Sequence, residues 1–267
     1  MKISVIIPSY KPQEYLWQCL DSLCSQTFPK EDFEIILVLN GCKEPYDEQI
    51  KAYIEQHSDI NWNYIQTDMP GVSNARNLAL DVAQGEYVTF IDDDDFVSPV
   101  YLQELYNTAD SKTVSLCRPY AFYNNDVSNE ATYFTDVYDR LHDKGNVTLY
   151  KVRKYFSGPC MKLIPMSFIQ GRRYDVRFKN GEDSLFMFLI SDKIKKCRFT
   201  SPDAIYYRRY RENSAFTSHH SLWSRLNNST KLAYTMIGYY LRNTRGYDIN
   251  FLFTRIVGLA ASVIKDN

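Results

Sequence analysis

Four consecutive aspartates, Asp92, Asp93, Asp94 and Asp95, follow the apolar run YVTFI at residues 87–91 and are the densest charge in the chain. Adjacent carboxylates repel unless a cation neutralises them, and a divalent ion carrying bound phosphates does so through hard oxygen ligands. In an extended segment Asp92 and Asp94 would share one side, and Asp93 and Asp95 the other. The competing reading is a solvated acidic turn capping the helix that Pro99 begins, with Asp95 or Ser98 as N-cap. A second acidic pair, Glu182-Asp183, precedes the apolar residues 185–190. Carboxylates there suit removal of a proton from a hydroxyl, and equally suit the positive end of a helix dipole.

The elements that must position these acids alternate in type. Residues 3–7, 34–39, 62–66 and 87–91 are strand-length apolar or β-branched runs. Between them Tyr15, Leu16, Cys19, Leu20 and Leu23 recur at helical spacing, and residues 45–57 and 72–83 read as the next helices. Such alternation predicts a parallel sheet covered on both faces, with its ligand site beyond the carboxyl ends of the strands. The turns at residues 8–10, 40–41 and 92–95 then converge there. Residues 111–119 predict one further strand, and the polar, Tyr-, Asn- and Asp-rich residues 120–150 a substrate-facing loop or irregular hairpin.

At 267 residues and 45% hydrophobic content the chain can bury a large core. Its net charge of −1 conceals an asymmetry: residues 1–110 hold 19 acids and 6 bases, 111–204 hold 10 and 16, and 205–267 hold 3 and 9. An acidic half suits a cation, and a basic half suits phosphates or an anionic membrane. The six cysteines lack CxxC spacing, which predicts reduced thiols in a cytoplasmic protein and no cysteine-built metal cluster. The chain opens directly on a strand, predicting no signal peptide, and no apolar run reaches the length of a membrane span. No nucleic-acid partner is expected.

The succession SVIIPSY at 4–10, EIILVLNG at 34–41, GVSNARNLAL at 71–80 and GEYVTFIDDDDFVSP at 85–99 resembles the nucleotide-sugar-binding half of family 2 inverting glycosyltransferases. KLIPMSFI at 162–169 and RFKNGEDSLFMF at 177–188 extend the likeness over roughly the first 215 residues. The resemblance implies the GT-A fold, an α/β, Rossmann-like, mostly parallel central sheet flanked by helices. Residues 1–215 would be the transferase domain, with a nucleotide-sugar half at about 1–110 and an acceptor half at about 111–215, and 216–267 a helical C-terminal extension. It further implies Asp92 and Asp94 as the ends of a DXD element, flanking Asp93. Asp94 would ligate Mn²⁺ or Mg²⁺ bridging the donor diphosphate, with Asp92 nearer the ribose or a metal-bound water. Pro8, Ser9 and Tyr10 match the loop that holds the nucleoside, and Arg76 and Asn77 match the ARN element near base and phosphates. Arg208, Arg211 and Ser214 fall where relatives carry a mobile segment that closes over the donor phosphates. Asp183 is implied as the base that deprotonates the acceptor, with Glu182 beside it. One position departs from the pattern. Many relatives have Asp-Asp-Gly-Ser where Leu39, Asn40, Gly41 and Cys42 stand, so Asn40 offers the nucleobase an uncharged carbonyl and admits bases other than uracil, although a UDP-sugar stays the favoured donor. Asn-Gly is also an ordinary tight turn.

The QxxRW element of processive synthases is absent, so the resemblance implies transfer of a single sugar to a glycan or lipid-linked acceptor in surface-polysaccharide synthesis. The alternatives are a sugar nucleotidyltransferase, whose Gly-rich phosphate loop the SVIIPSYKP turn lacks, and a non-catalytic nucleotide-sugar-binding scaffold. Lys162, Arg172, Arg173, Arg177 and Lys179 lie on the approach to Asp183 and read as solvated cations or as contacts to an anionic acceptor. In the tail Phe253, Ile256, Val257, Ala260 and Ile264 share a helix face with Arg255 outside it, predicting core or homodimer packing. Basic charge and the aromatics Trp223, Tyr239 and Tyr240 equally suit peripheral docking on the inner face of the membrane.

Overall fold

Residues 33–40 are buried at every position, as a strand covered on both faces must be. The computed structural model describes residues 1–123, 126–130, 133–210 and 221–264. Its strands are β1 (Ile3–Ser9), β2 (Phe33–Asn40), β3 (Asn61–Thr67), β4 (Tyr87–Phe90), β5 (Phe96–Val97), β6 (Thr113–Leu116), β7 (Arg118–Tyr123), β8 (Asp126–Glu130), β9 (Asn146–Val147), β10 (Lys162–Pro165), β11 (Lys196–Phe199) and β12 (Ile205–Tyr210). Its α-helices are α1 (Tyr15–Cys24), α2 (Tyr46–Gln56), α3 (Val72–Val82), α4 (Tyr101–Asn107), α5 (Thr135–Leu141), α6 (Met166–Ile169), α7 (Glu182–Ile190), α8 (Leu222–Arg242) and α9 (Ile249–Ile264).

Eight strands form the central sheet in the order β3-β2-β1-β4-β10-β6-β11-β9, and a smaller sheet runs β5-β12-β7-β8. The four strands of the first half are parallel, and β10 lies antiparallel between β4 and β6. Strand β1 continues through Pro8 and Ser9, two residues beyond the expected break. The parity that aims the Ile6 carbonyl at the Ile91 N–H aims Pro8 to the same side, past the last residue that β4 pairs. The N–H that proline lacks therefore has no ladder partner to lose.

Three other expectations change. Residues 111–119 are two strands in different sheets, because the chain breaks at Cys117, whose N–H bonds to Met161 instead. Residues 120–150 include the expected irregular hairpin, β7 pairing antiparallel with β8 across a register shift at Phe122 and Tyr123, but are not otherwise loop: α5 buries Val137, Tyr138 and Leu141. Neither Asp95 nor Ser98 caps α4. The Ser98 hydroxyl donates to the Asp203 carbonyl and accepts from the Ile205 N–H, clipping β5 to β12.

The C-terminal helices pack on the core through Leu232, Met236, Phe251 and Leu252, and Tyr247 stacks on Phe188 while donating to the Leu189 carbonyl. The expected apolar face of α9 holds only in part: Ile256 packs against the core, but Phe253 and Val257 are exposed whereas Phe251 and Leu252, outside that face, are buried. Arg255, expected outside, turns inward, its guanidinium 4.6 Å from the Phe251 ring centre and donating to the Arg153 carbonyl. With apolar side chains on nearly every side of α9, periodicity alone does not choose which arc meets the core.

Candidate active site

The aspartate run is a tight turn, not an extended segment: the Asp95 N–H bonds to the Asp92 carbonyl at 3.1 Å. The four side chains consequently diverge, and the expected alternation does not hold. Asp92 takes a bond from Arg76 at 3.0 Å and Asp93 one from the Ser9 hydroxyl at 2.6 Å. Asp95 is buried, accepting from the Tyr206 hydroxyl at 2.7 Å and the Arg209 N–H at 2.8 Å. Burial, reinforced by Asp94 and Asp92, pushes the Asp95 carboxyl well up from the usual carboxylate range. Asp95 therefore anchors the turn to β12, while Asp92, Asp93 and Asp94 keep partial exposure.

Helix α3 buries Ser73, Ala75, Arg76, Ala79 and Leu80, so Arg76 points into the protein. It donates Nη1 to Asp183 Oδ1 at 2.5 Å and Nη2 to Asp92 Oδ1 at 3.0 Å. Its neighbour Asn77 donates to the Tyr174 carbonyl at 2.9 Å and accepts from the Tyr174 N–H at 2.7 Å, and Tyr174 stacks on Phe186 of α7 with ring centres 3.9 Å apart. Arg76 thus faces the acidic centre, and Asn77 clasps the Tyr174 backbone that packs on α7. The reason is that the face of α3 carrying Arg76 is its packed face.

Asp183 sits in the first turn of α7 behind Gly181, whose φ of +81° is the left-handed conformation that glycine tolerates. A Cβ at Gly181 would come within 2.6 Å of Leu232 of α8. Burial raises the Asp183 pKa and outweighs the pull of Arg76 in the opposite direction. The side chain still keeps 29% of its exposure, enough to meet a substrate. Burial and the adjacent Asp183 push Glu182 up to about 7.

On the opposite flank, Tyr10 is half exposed and leans on Gly41, where a Cβ would stand 2.6 Å from its ring. Pro8 and Ser9 are buried. Asn40 differs from the expectation that it presents an acceptor to a nucleobase. It is buried, its amide donating to the Ser9 carbonyl at 2.7 Å and its side-chain oxygen accepting from the Gly71 N–H at 2.9 Å. It stitches the ends of β1 and β2 to the start of α3.

Arg208 lies in β12 and not in a mobile segment, its guanidinium donating to the Tyr133 hydroxyl at 2.6 Å and flanked by the Tyr133 and Tyr210 rings. Arg211 and Ser214 lie outside the described residues. The expected solvated cations are mostly paired: Arg172 with Asp192, Arg173 with Asp81 and Arg177 with Asp175. Lys162 is buried under the site, donating to the Gly158 and Cys160 carbonyls at 2.7 and 2.5 Å, and burial brings it down to about 8. Tyr206, which holds both Asp95 and the Asp92 N–H, was missed by the sequence reading. The signal was present, because strand alternation in YYRRY puts Tyr206, Arg208 and Tyr210 on one face.

Among the described residues no group of three or more His, Cys, Asp or Glu forms a ready cation cage. That fits Mg²⁺ or Mn²⁺ held by one or two carboxylates and completed by substrate phosphates, as the small hard cations are commonly bound. Asp92 and Asp94, partly exposed at the turn, are the groups on this chain that would hold it.

Solved structures share this architecture. Staphylococcus aureus TarS, residues 1–349 in complex with UDP, superposes with a TM-score of 0.72 at 21% identity over 97% of this chain and 71% of that one. The Pyrobaculum calidifontis mannosyltransferase PcManGT, in complex with GDP-Man and Mn²⁺, gives 0.62 at 17% identity over 99% and 70%. The fold is that of the GT-A glycosyltransferases. Sequence narrows the class: the model of glycosyl transferase family 2 matches residues 4–170, and the chain belongs to that family. Relatives include the glycosyltransferase GlyA of Streptococcus pneumoniae serotype 4, 31% identical over 209 residues, which are 72% of this chain and 29% of that protein. The poly(ribitol-phosphate) β-N-acetylglucosaminyltransferase TarS of S. aureus Mu50 is 35% identical over 104 residues, 39% of this chain and 18% of TarS. The chain thus spans less than a third of either full-length relative.

Proposed function

We propose that the chain is an inverting, metal-dependent glycosyltransferase that moves one sugar from a nucleotide-sugar, a UDP-sugar by preference, to a hydroxyl of a glycan or lipid-linked acceptor in surface-polysaccharide synthesis. The observation that carries this reading is the Asp92–Arg76–Asp183 bridge, which holds a donor-side acid and an acceptor-side acid on one guanidinium. The names of GlyA and TarS support the reaction and the class of acceptor. In this reading residues 1–215 are the transferase domain and 216–267 its helical extension. Free cysteines support a cytoplasmic setting.

Each residue then has a distinct task. Tyr10, seated on Gly41, stacks on the nucleoside, and the Ser9 hydroxyl orients Asp93. Asp94 and Asp92 face the diphosphate, and a bound Mn²⁺ or Mg²⁺ would offset charge on the leaving nucleoside diphosphate. Arg208 reaches the phosphates from β12, with Arg211 and Ser214 as further candidates. Asp183 takes the proton of the acceptor hydroxyl while that oxygen attacks the anomeric carbon opposite the departing phosphate oxygen, so the bond to the acceptor forms as the bond to the diphosphate breaks. Arg76 is a positioning residue that fixes the carboxylate of Asp183, and Glu182 tunes its charge.

The test is donor binding by calorimetry with UDP- and GDP-sugars, each with Mn²⁺ and with EDTA, alongside transfer assays on a polyol-phosphate acceptor. Binding that needs metal, and transfer that Asp183→Asn loses while binding persists, are expected. Metal-independent binding, or full turnover by Asp183→Asn, refutes the mechanism.

A further inference from the structure

Helices α8 and α9 carry apolar rows that nothing among the described residues covers. On α8, Leu222, Leu226, Ile237 and Leu241 fall on one arc at 100° per residue, and Trp223 and Tyr234, 78% and 80% exposed, border it. On α9, Ile249, Phe253 and Val257 are exposed at successive intervals of four. The arc of α8 next to its row and the far side of α9 already meet the core, through Leu232 and Met236 and through Phe251 and Leu252, so these rows are surplus to folding.

Charge identifies what covers them. Residues 221–264 contain five bases, Arg225, Lys231, Arg242, Arg245 and Arg255, against the single acid Asp248. Arg255 turns into the core, whereas Lys231, Arg242 and Arg245 are exposed, and by helical position Lys231 and Arg242 both lie beyond the edge of the α8 row that Trp223 and Tyr234 border. A two-fold contact with a second copy would bring this basic surface against itself, which is repulsive. No helix among the described residues is long and apolar enough to cross a membrane. An apolar row edged by exposed Trp and Tyr, with basic side chains beyond that edge, matches a helix lying in the lipid headgroup region.

We infer that α8 and α9 dock the protein on an anionic lipid surface, the apolar rows entering the headgroup boundary and Lys231, Arg242 and Arg245 meeting lipid phosphates. The inference is independent of the transferase reading, because its assay contains neither donor nor acceptor.

The experiment is co-sedimentation of the full chain with vesicles of phosphatidylcholine alone and of equal parts phosphatidylcholine and phosphatidylglycerol. At low salt the protein partitions onto the anionic vesicles at least about tenfold more than onto the neutral ones, and Lys231→Ala/Arg242→Ala weakens this about twenty-fold, near fivefold per basic side chain. Trp223→Ser/Phe253→Ser lowers binding comparably while leaving the thermal melting of the protein unchanged, since both residues are exposed. Equal partitioning onto both vesicle types, no partitioning onto anionic vesicles, or variants that bind like wild type would each overturn the inference. Light scattering supplies a further check: self-association that Trp223→Ser/Phe253→Ser abolishes would assign the face to a second copy instead.

Discussion

Arg76 Nη1 stands 2.5 Å from Asp183 while Nη2 stands 3.0 Å from Asp92, so one guanidinium joins the acid after β4 to the acid at the head of α7. The residues it joins come from opposite halves of the chain, 107 residues apart in the case of Asp183. Without that cation two carboxylates, both partly exposed, would face each other unpaired.

Removing it is therefore costly. Arg76→Met should destabilise the fold, by less than the about 3–5 kcal/mol of a fully buried pair, because the Asp92 and Asp183 side chains keep 44% and 29% of their exposure. Urea unfolding of both proteins measures this. Arg76→Lys keeps the charge but not the two-pronged geometry, and should lower kcat more than it raises KM for the acceptor.

Asp183→Asn should lower kcat by about 10²–10⁴-fold, the usual share of a general base, with donor affinity retained. Asp94→Ala should do the opposite, abolishing the metal-dependent part of donor binding in a calorimetric titration. Equal donor affinities for wild type and Asp94→Ala in Mn²⁺ would contradict the assignment.

The acid limb of the rate profile follows from Glu182 and Asp183, which titrate as a pair. Both are raised by burial, and Glu182 lies at about 7. The base must be ionised to act, and burial raises Asp183, so kcat/KM should fall on the acid side of the profile at a pH above the usual carboxylate range. Glu182→Gln removes a neighbouring negative charge, eases ionisation of Asp183 and should move that limb to lower pH.

Lys162 gives a stability signal of opposite kind. Burial lowers its pKa from 10.5 to about 8, so between those values the unfolded chain binds the proton that the folded protein has released. Stability from this group therefore rises with pH through that window. The unfolding free energy of wild type relative to Lys162→Met should increase by about 2 kcal/mol between pH 7 and 10. A flat difference would mean that the ammonium is solvated.

What the sequence disclosed depended on how local the cause was. Strands β1 to β4 and helices α1 to α3 emerged within about two residues; β1, β2 and β4, largely buried, leave continuous apolar runs, whereas β3, at the sheet edge with no fully buried residue, was marked by Trp62, Tyr64 and Ile65. The acidic turn was legible from four like charges in a row. The partners of Arg76, Asn40 and Lys162 were not, since each is set by backbone or carboxylates that only the tertiary fold delivers. Asn40 is the clearest case: its bonds reach 31 residues backward and forward, and no local pattern distinguishes such a stitch from a turn.

The absence of a side chain at Gly181 lets Leu232 of α8 press directly on the backbone that precedes Glu182 and Asp183. The tail is thus a backstop for the carboxylates proposed as catalytic as well as an appendage, and whatever loads α8 from outside also bears on the turn that aims Asp183. Shortening the protein before α8 would free that turn on one side, so activity, more than solubility, would register where the enzyme can be cut.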